Sequence, residues 1–177
     1  MTMTKLQINR APVMTLWAAV VAERLGFDHD AALTLAKVVT GLNAQAKGRR
    51  LGIYEPAPIK ERVEKLKEQP FGASFSVELM GRAIPVISTP AGLRAMQEAK
   101  PLDPATVERY LAGKFGNSLA EVRAAMQEVA SAFSEDELVD AAYHLYEKFR
   151  PAIPPGIKGW GATGELDLDR IRSLARM

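Results

Sequence analysis

Residues 9–48, NRAPVMTLWAAVVAERLGFDHDAALTLAKVVTGLNAQAKG, hold the pattern that decides the fold. Asn9 followed by Pro12 reads as a helix start, because proline lacks an N–H that the first helical turn leaves unpaired anyway. Val13, Leu16, Trp17, Val20, Val21 and Leu25 then recur at the spacing of an apolar helical stripe, and Gly26 ends the run. Asp28 or Asp30 can cap a second helix. Leu35, Val38, Val39, Leu42 and Ala46 form its stripe, and Gly48 suits its C-terminal cap. The reading is two amphipathic helices joined by a tight turn.

Downstream, Ile59, Val63 and Leu66 predict a third helix over Pro58 to Glu68. The period then changes. Phe75, Val77 and Leu79 alternate with Ser76 and Glu78, and AIPVI follows Gly81 and Arg82, which predicts a β-hairpin. Pro85 confines the second strand to an edge or a bulge, since proline cannot donate to a ladder. Nothing else reads as strand. Helix starts are expected at Thr89-Pro90 and at Asp103-Pro104, and Ser118 with Glu121 and Ser134 with Glu137 fit capping boxes. The helix after Ser118 carries Leu119, Val122, Met126, Val129 and Phe133. The one after Ser134 has two stripes, Leu138/Ala142/Leu145/Phe149 and Val139/Tyr143/Tyr146, broad enough for the centre of a core or an interface. Pro151, Pro154 and Pro155 stop it, and Leu168, Ile171 and Leu174 mark a last helix. The expected fold is mainly α: a multi-helix orthogonal bundle with one small two-stranded β-hairpin. Residues 1–70 would form an N-terminal helical unit and 71–177 the hairpin with a C-terminal bundle, either separately or as one continuous domain.

Composition bounds the function. The chain has 177 residues, 47% apolar and 25% charged, which suits a globular domain and excludes disorder and low-complexity scaffolds. With 23 Lys+Arg against 21 Asp+Glu, the net charge is only +2, too little to coat nucleic acid over a whole surface. There is no cysteine, so disulfides, thiolate metal sites and cysteine nucleophiles are out. The longest apolar run, Leu16 to Ala22, is far short of the ~20 residues that span a bilayer. With no signal-peptide pattern at MTMTKLQINR, the expectation is a cytoplasmic protein without a membrane partner.

The segment VVAERLGFDHDAALTLAK (residues 20–37) resembles a helix-turn-helix unit of bacterial transcription regulators over about twenty residues. Counting from Ala18, the fifth position, where two helices approach closely, is Ala22. The ninth, which needs a permissive backbone, is Gly26. The resemblance implies a second helix lying in the DNA major groove, with Asp28, His29, Asp30, Leu33 and Thr34 nearest the bases. The same spacing also serves a plain α-hairpin, because every matching position describes packing.

Charge supplies the second signal. From Lys37 to Glu68 eight Lys/Arg face four Glu, an excess of +4, whereas from Asp103 to Asp140 eight acids face Arg109, Lys114 and Arg123, an excess of −5. Lys47, Arg49 and Arg50 cluster at the expected end of the second helix, where cations suit the helix dipole and also a phosphate. Arg82, in the expected hairpin turn, would reach the backbone as a wing or serve as a polar turn residue. Gly159, Gly161 and Gly164 spell G-x-G-x-x-G, but without the strand-turn-helix context of a dinucleotide site. His144, between Asp140 and Glu147 on one helical face, lacks the matching motifs of a di-metal bundle. These observations lead to a DNA-binding, regulatory protein that docks a basic helix end on phosphates through Lys47, Arg49, Arg50, Thr34 and Arg82, as a homodimer. The alternative is a non-enzymatic helical module for protein interaction or self-association. No catalytic residue, metal or cofactor is assigned.

Overall fold

The structure, a computed structural model, describes residues 5–46, 70, 72–97, 100–152 and 163–176, with the side chains of 43–46 left out. Strand β1 (Lys5–Asn9) leads into α1 (Arg10–Arg24). Gly26, at φ +113°, reverses the chain. There the N–H of Phe27 donates to Ala22 O and that of Gly26 to Glu23 O, at 3.1 Å each, which satisfies carbonyls that a helix end leaves free. Asp28 then caps α2 (His29–Ala46), its Oδ1 accepting the Ala31 N–H at 2.9 Å. Both expected punctuation marks thus do their work.

The α1–α2 pair is the centre of the molecule. Pro12 to Ala22 are all buried, as are Ala31 to Ala36 and Val38 to Thr40. Ala18 and Ala22 carry little side chain where the helices meet, and the Thr15 and Thr40 hydroxyls lie 2.7 Å apart inside the contact. A helix buried on every side needs other elements around it. They are α3 (Pro104–Phe115), α4 (Leu119–Ser131), α5 (Glu135–Phe149) and α6 (Leu168–Leu174). Trp17 donates its indole N–H to the Ala142 carbonyl in α5 at 2.9 Å and meets Phe149 edge-on, ring centroids 5.3 Å apart. One buried apolar cluster runs from Ile8 to Leu174.

Local signals hold at several ends. Asp103 caps α3, with Pro104 in its first turn. Ser134 and Glu137 form both bonds of a capping box, at 3.2 and 2.9 Å. Ser118 does not cap α4 through its side chain, because a short 3-10 turn, Gly116–Ser118, already continues the chain helically into it. The breadth of α5 is used internally: Leu138, Ala142, Leu145, Tyr146 and Phe149 are buried, while Val139 and Tyr143 are half-buried against the same core. The expected helix over Pro58 to Glu68 and the Gly48 cap lie outside the described residues.

The mainly α expectation stands in that coarse form, since helices hold the larger share of the described residues. The hairpin is where the departure lies. Strands β2 (Ser74–Leu79) and β3 (Arg82–Thr89) do pair through a turn at Met80 and Gly81, but the sheet continues into β4 (Gly92–Gln97) and β5 (Lys100–Pro101). Thr89-Pro90 therefore begins a β-turn rather than a helix. The β4 segment GLRAMQ has no apolar alternation and several good helix formers, so only its pairing makes it a strand.

Pro85 shows how far its local signal reached. It lies opposite Ser76 of β2, and the β3–β4 ladder stops one residue later, at Val86 with Ala95. Hydrogen-bonded and non-bonded pairs alternate from the two-residue turn, which points the Pro85 nitrogen to the β4 side. With no N–H to offer there, β4 leaves and pairs Met96 with Pro101. Strand β3 is thus central from Val86 to Thr89 and an edge from Arg82 to Pro85. Finally β6 (Thr163–Asp167) pairs antiparallel with β1, Leu6 opposite Leu166, closing the two ends of the chain against each other.

Candidate nucleic-acid interface

The five residues expected at nucleic acid divide into two groups. Lys47, Arg49 and Arg50 lie outside the described residues; they follow directly on α2, which ends at Ala46. Thr34 and Arg82 are inside the protein. The Thr34 hydroxyl is fully buried, donating to Ala31 O at 2.8 Å and accepting the Ala95 N–H at 2.9 Å. Arg82 is not in the turn but opens β3, on the sheet face that carries Ile84 and Val86, and is only 3% exposed. Neither side chain lies on the surface. The groove-insertion geometry fails for the same reason: Leu33 and its neighbours from Ala31 to Ala36 are covered by α1 and β4, so α2 has no free face there.

Lys37 is the exception on that stretch, exposed among buried neighbours. Its Nζ stands 5.2 Å from the centre of the Tyr110 ring, on α3. Lys114, four residues after Tyr110 and so on the same helical face, places its own Nζ 6.0 Å from that centre. The electron-rich ring face holds both cations near it, about 0.5–1 kcal/mol for each at an exposed site. Burial raises the Tyr110 phenol above its ordinary value, so the ring stays neutral between them. Among the described residues neither ammonium has a carboxylate at ion-pair distance. Two positive groups from different helices therefore share one site. Tyr110 and Lys114 escaped the sequence reading because they sit in the acidic half of the chain. Their four-residue spacing is the signal that was available.

At the other end of the α2–α3 contact the charges change sign. His29 reaches Glu23 Oε1 with Nδ1 and Glu108 Oε2 with Nε2, both at 3.1 Å. Burial pulls the imidazole down, but its hydrogen bonds to the two carboxylates and their negative charges outweigh it and the net shift is upward. Beside it Arg94 lies 3.7 Å from Asp30 while donating to the Leu93 and Ala91 carbonyls. A shallow cavity of about 250 Å³ opens next to Asp28, between the α1–α2 turn and the β3–β4 turn, floored by Phe27, Ala31 and Leu93. The α2–α3 ridge is thus polarised, carboxylate-rich where α2 begins and cationic halfway along it.

The remaining sequence candidates take ordinary structural places. His144 is exposed and pairs with Glu147 at 3.3 Å. No group of three metal-ligating side chains occurs among the described residues. Gly164 belongs to β6, so a strand and not a helix follows that glycine pattern; Gly159 and Gly161 lie outside the described residues. No helix among the described residues is long and apolar enough to cross a membrane. Comparison of the chain with known protein families, with curated proteins and with solved structures finds no match.

Proposed function

We propose that the chain is a cytoplasmic nucleic-acid-binding protein that docks on the DNA backbone through the basic part of the α2–α3 ridge. The observation that carries this reading is the convergence of Lys37 and Lys114 on Tyr110. Lys47, Arg49 and Arg50 add three cations to the sequence directly after α2. The mode is phosphate contact rather than insertion of a reading helix, since α2 is covered on the face that would enter a groove. Such contact positions a protein on a duplex without reading bases. The alternative of a pure self-association module loses its main support, because the second apolar stripe of α5 packs against the core of the same chain.

A salt titration of binding to random-sequence duplex DNA tests the proposal. Affinity should fall steeply with salt, and Lys37→Ala with Lys114→Ala should shallow the logarithmic slope by about two units, as should Arg49→Ala with Arg50→Ala. Absence of binding at low salt, or a slope unmoved by both pairs, overturns it.

A further inference from the structure

His29 stands where three helices meet, and its two ring nitrogens face carboxylates on the other two. Glu23 closes the last turn of α1, Glu108 belongs to α3, and each contact is 3.1 Å. An ionised carboxylate only accepts hydrogen bonds. A neutral imidazole has one N–H and one lone pair, so it can donate to one of these partners and must turn its lone pair on the other. The imidazolium alone donates at both nitrogens. With both carboxylates ionised, only the charged ring satisfies both 3.1 Å contacts.

We propose that His29 is a proton-operated clasp: protonated, it ties α3 to the α1–α2 turn, and on losing its proton it releases one of the two carboxylates. The surrounding charges fit that role. Glu23 faces the ring from α1, Glu108 from α3, and the cap residue Asp28 and Asp30 of α2 flank it in the chain. On β4, Arg94 turns to Asp30, and Arg24 of α1 is directed away to Glu135 and the Phe133 carbonyl. Carboxylates thus dominate the junction and hold the proton on the ring to a pH above its ordinary 6.5. Loss of the proton leaves a lone pair against a carboxylate at the same spot. The opening is local, because Val107, Leu111 and Phe115 keep α3 anchored in the apolar core whatever the pH. The clasp does not depend on nucleic-acid binding.

The test is an NMR titration of the imidazoles in the full chain, with amide hydrogen exchange followed along α3 over the same pH range. The chain has only two histidines, and His29→Gln assigns the resonances. His29 should titrate above 6.5, and exchange in α3, corrected for its intrinsic pH dependence, should accelerate about fivefold across that midpoint, the equivalent of one modest hydrogen bond. In Glu108→Gln the amide can donate as well as accept, so the acceleration should vanish while α3 remains protected. Glu23→Gln supplies the same test should that variant fold poorly. A His29 midpoint at or below 6.5, uniform exchange on both sides of it, or an unchanged step in both glutamine variants overturns the proposal.

Discussion

The hydroxyl of Thr34, on α2, accepts the amide N–H of Ala95, on β4, at 2.9 Å. One edge of β4 pairs with β3, and at Ala95 the other edge is completed by a helix side chain in place of a strand, while the Ala95 carbonyl takes the Leu102 N–H at 2.9 Å. A buried backbone N–H without such a partner costs free energy comparable to a lost hydrogen bond. The residue that a groove-reading helix would present to DNA is here the joint between the helical core and the sheet.

Thr34→Val tests that joint. Valine keeps the shape and removes the acceptor, leaving the Ala95 N–H unsatisfied, so unfolding free energy should fall by about 1–3 kcal/mol. Thr34→Ser should restore most of it. The readout is the denaturant midpoint at constant slope. The salt dependence of the proposed DNA binding should not move with either substitution, and a change there would assign Thr34 to the proposed contact.

At Gly164 another backbone leaves no room for a side chain. A Cβ at this position would stand 2.6 Å from the Ala152 carbonyl oxygen and 2.9 Å from its carbon, atoms held by the paired bonds between Ala152 and Glu165. Gly164→Ala should therefore destabilise the fold by about 1–3 kcal/mol, the cost of overpacking against atoms that cannot rotate away. A thermal midpoint equal to that of the native chain would show that the Pro151–Ala152 segment yields.

Stability should carry the signature of His29 above pH 6.5. Its folded pKa is raised, so its contribution is fully present below the unfolded value of 6.5 and disappears as pH climbs through the folded value. The stability difference between the native chain and His29→Gln should shrink across that window. Equal differences at both ends of a pH series of denaturant titrations would remove His29 from the account.

Tyr146 predicts a second, more alkaline loss. Burial pushes its phenol far above the ordinary value of 10, and the nearby Arg10 and Arg150 charges only partly offset this. The unfolded chain therefore gives up this proton first, and stability should decline as pH rises from about 10. Spectrophotometric titration should show one tyrosine ionising only with unfolding. Smooth ionisation of all four tyrosines in the folded chain would contradict the burial.

Legibility in the sequence followed the range of each signal. The turn at Gly26, a cap at Asp28 or Asp30, the Asp103-Pro104 start, the Ser134–Glu137 box and the stripe Leu168/Ile171/Leu174 were all readable, because each is decided within a few residues; the structure chose Asp28. Pro85 was readable as an edge signal, yet not as the point where β4 departs. Strands β1 and β6 were not readable, since each is five residues long and becomes a strand only by meeting the other from the far end of the chain. Thr34 and Arg82 looked like surface polar residues because residue type says nothing about which face a neighbour will cover. Lys37, Tyr110 and Lys114 become a site only when α2 and α3 lie side by side.

The amino-acid order alone determined several of the helix starts and ends, which stripes are apolar, and that Gly26 with Asp28 or Asp30 makes a tight reversal between the first two helices. Those outcomes rest on backbone dihedral preference and on hydrogen bonds closed within a single turn. Tertiary structure alone decided that residues 31–36 of α2 are enclosed, that a helical-looking segment becomes β4, and that cations from opposite halves of the chain share an aromatic ring. Contacts between residues distant in sequence set those outcomes, through burial and pairing energies larger than the local preferences they override.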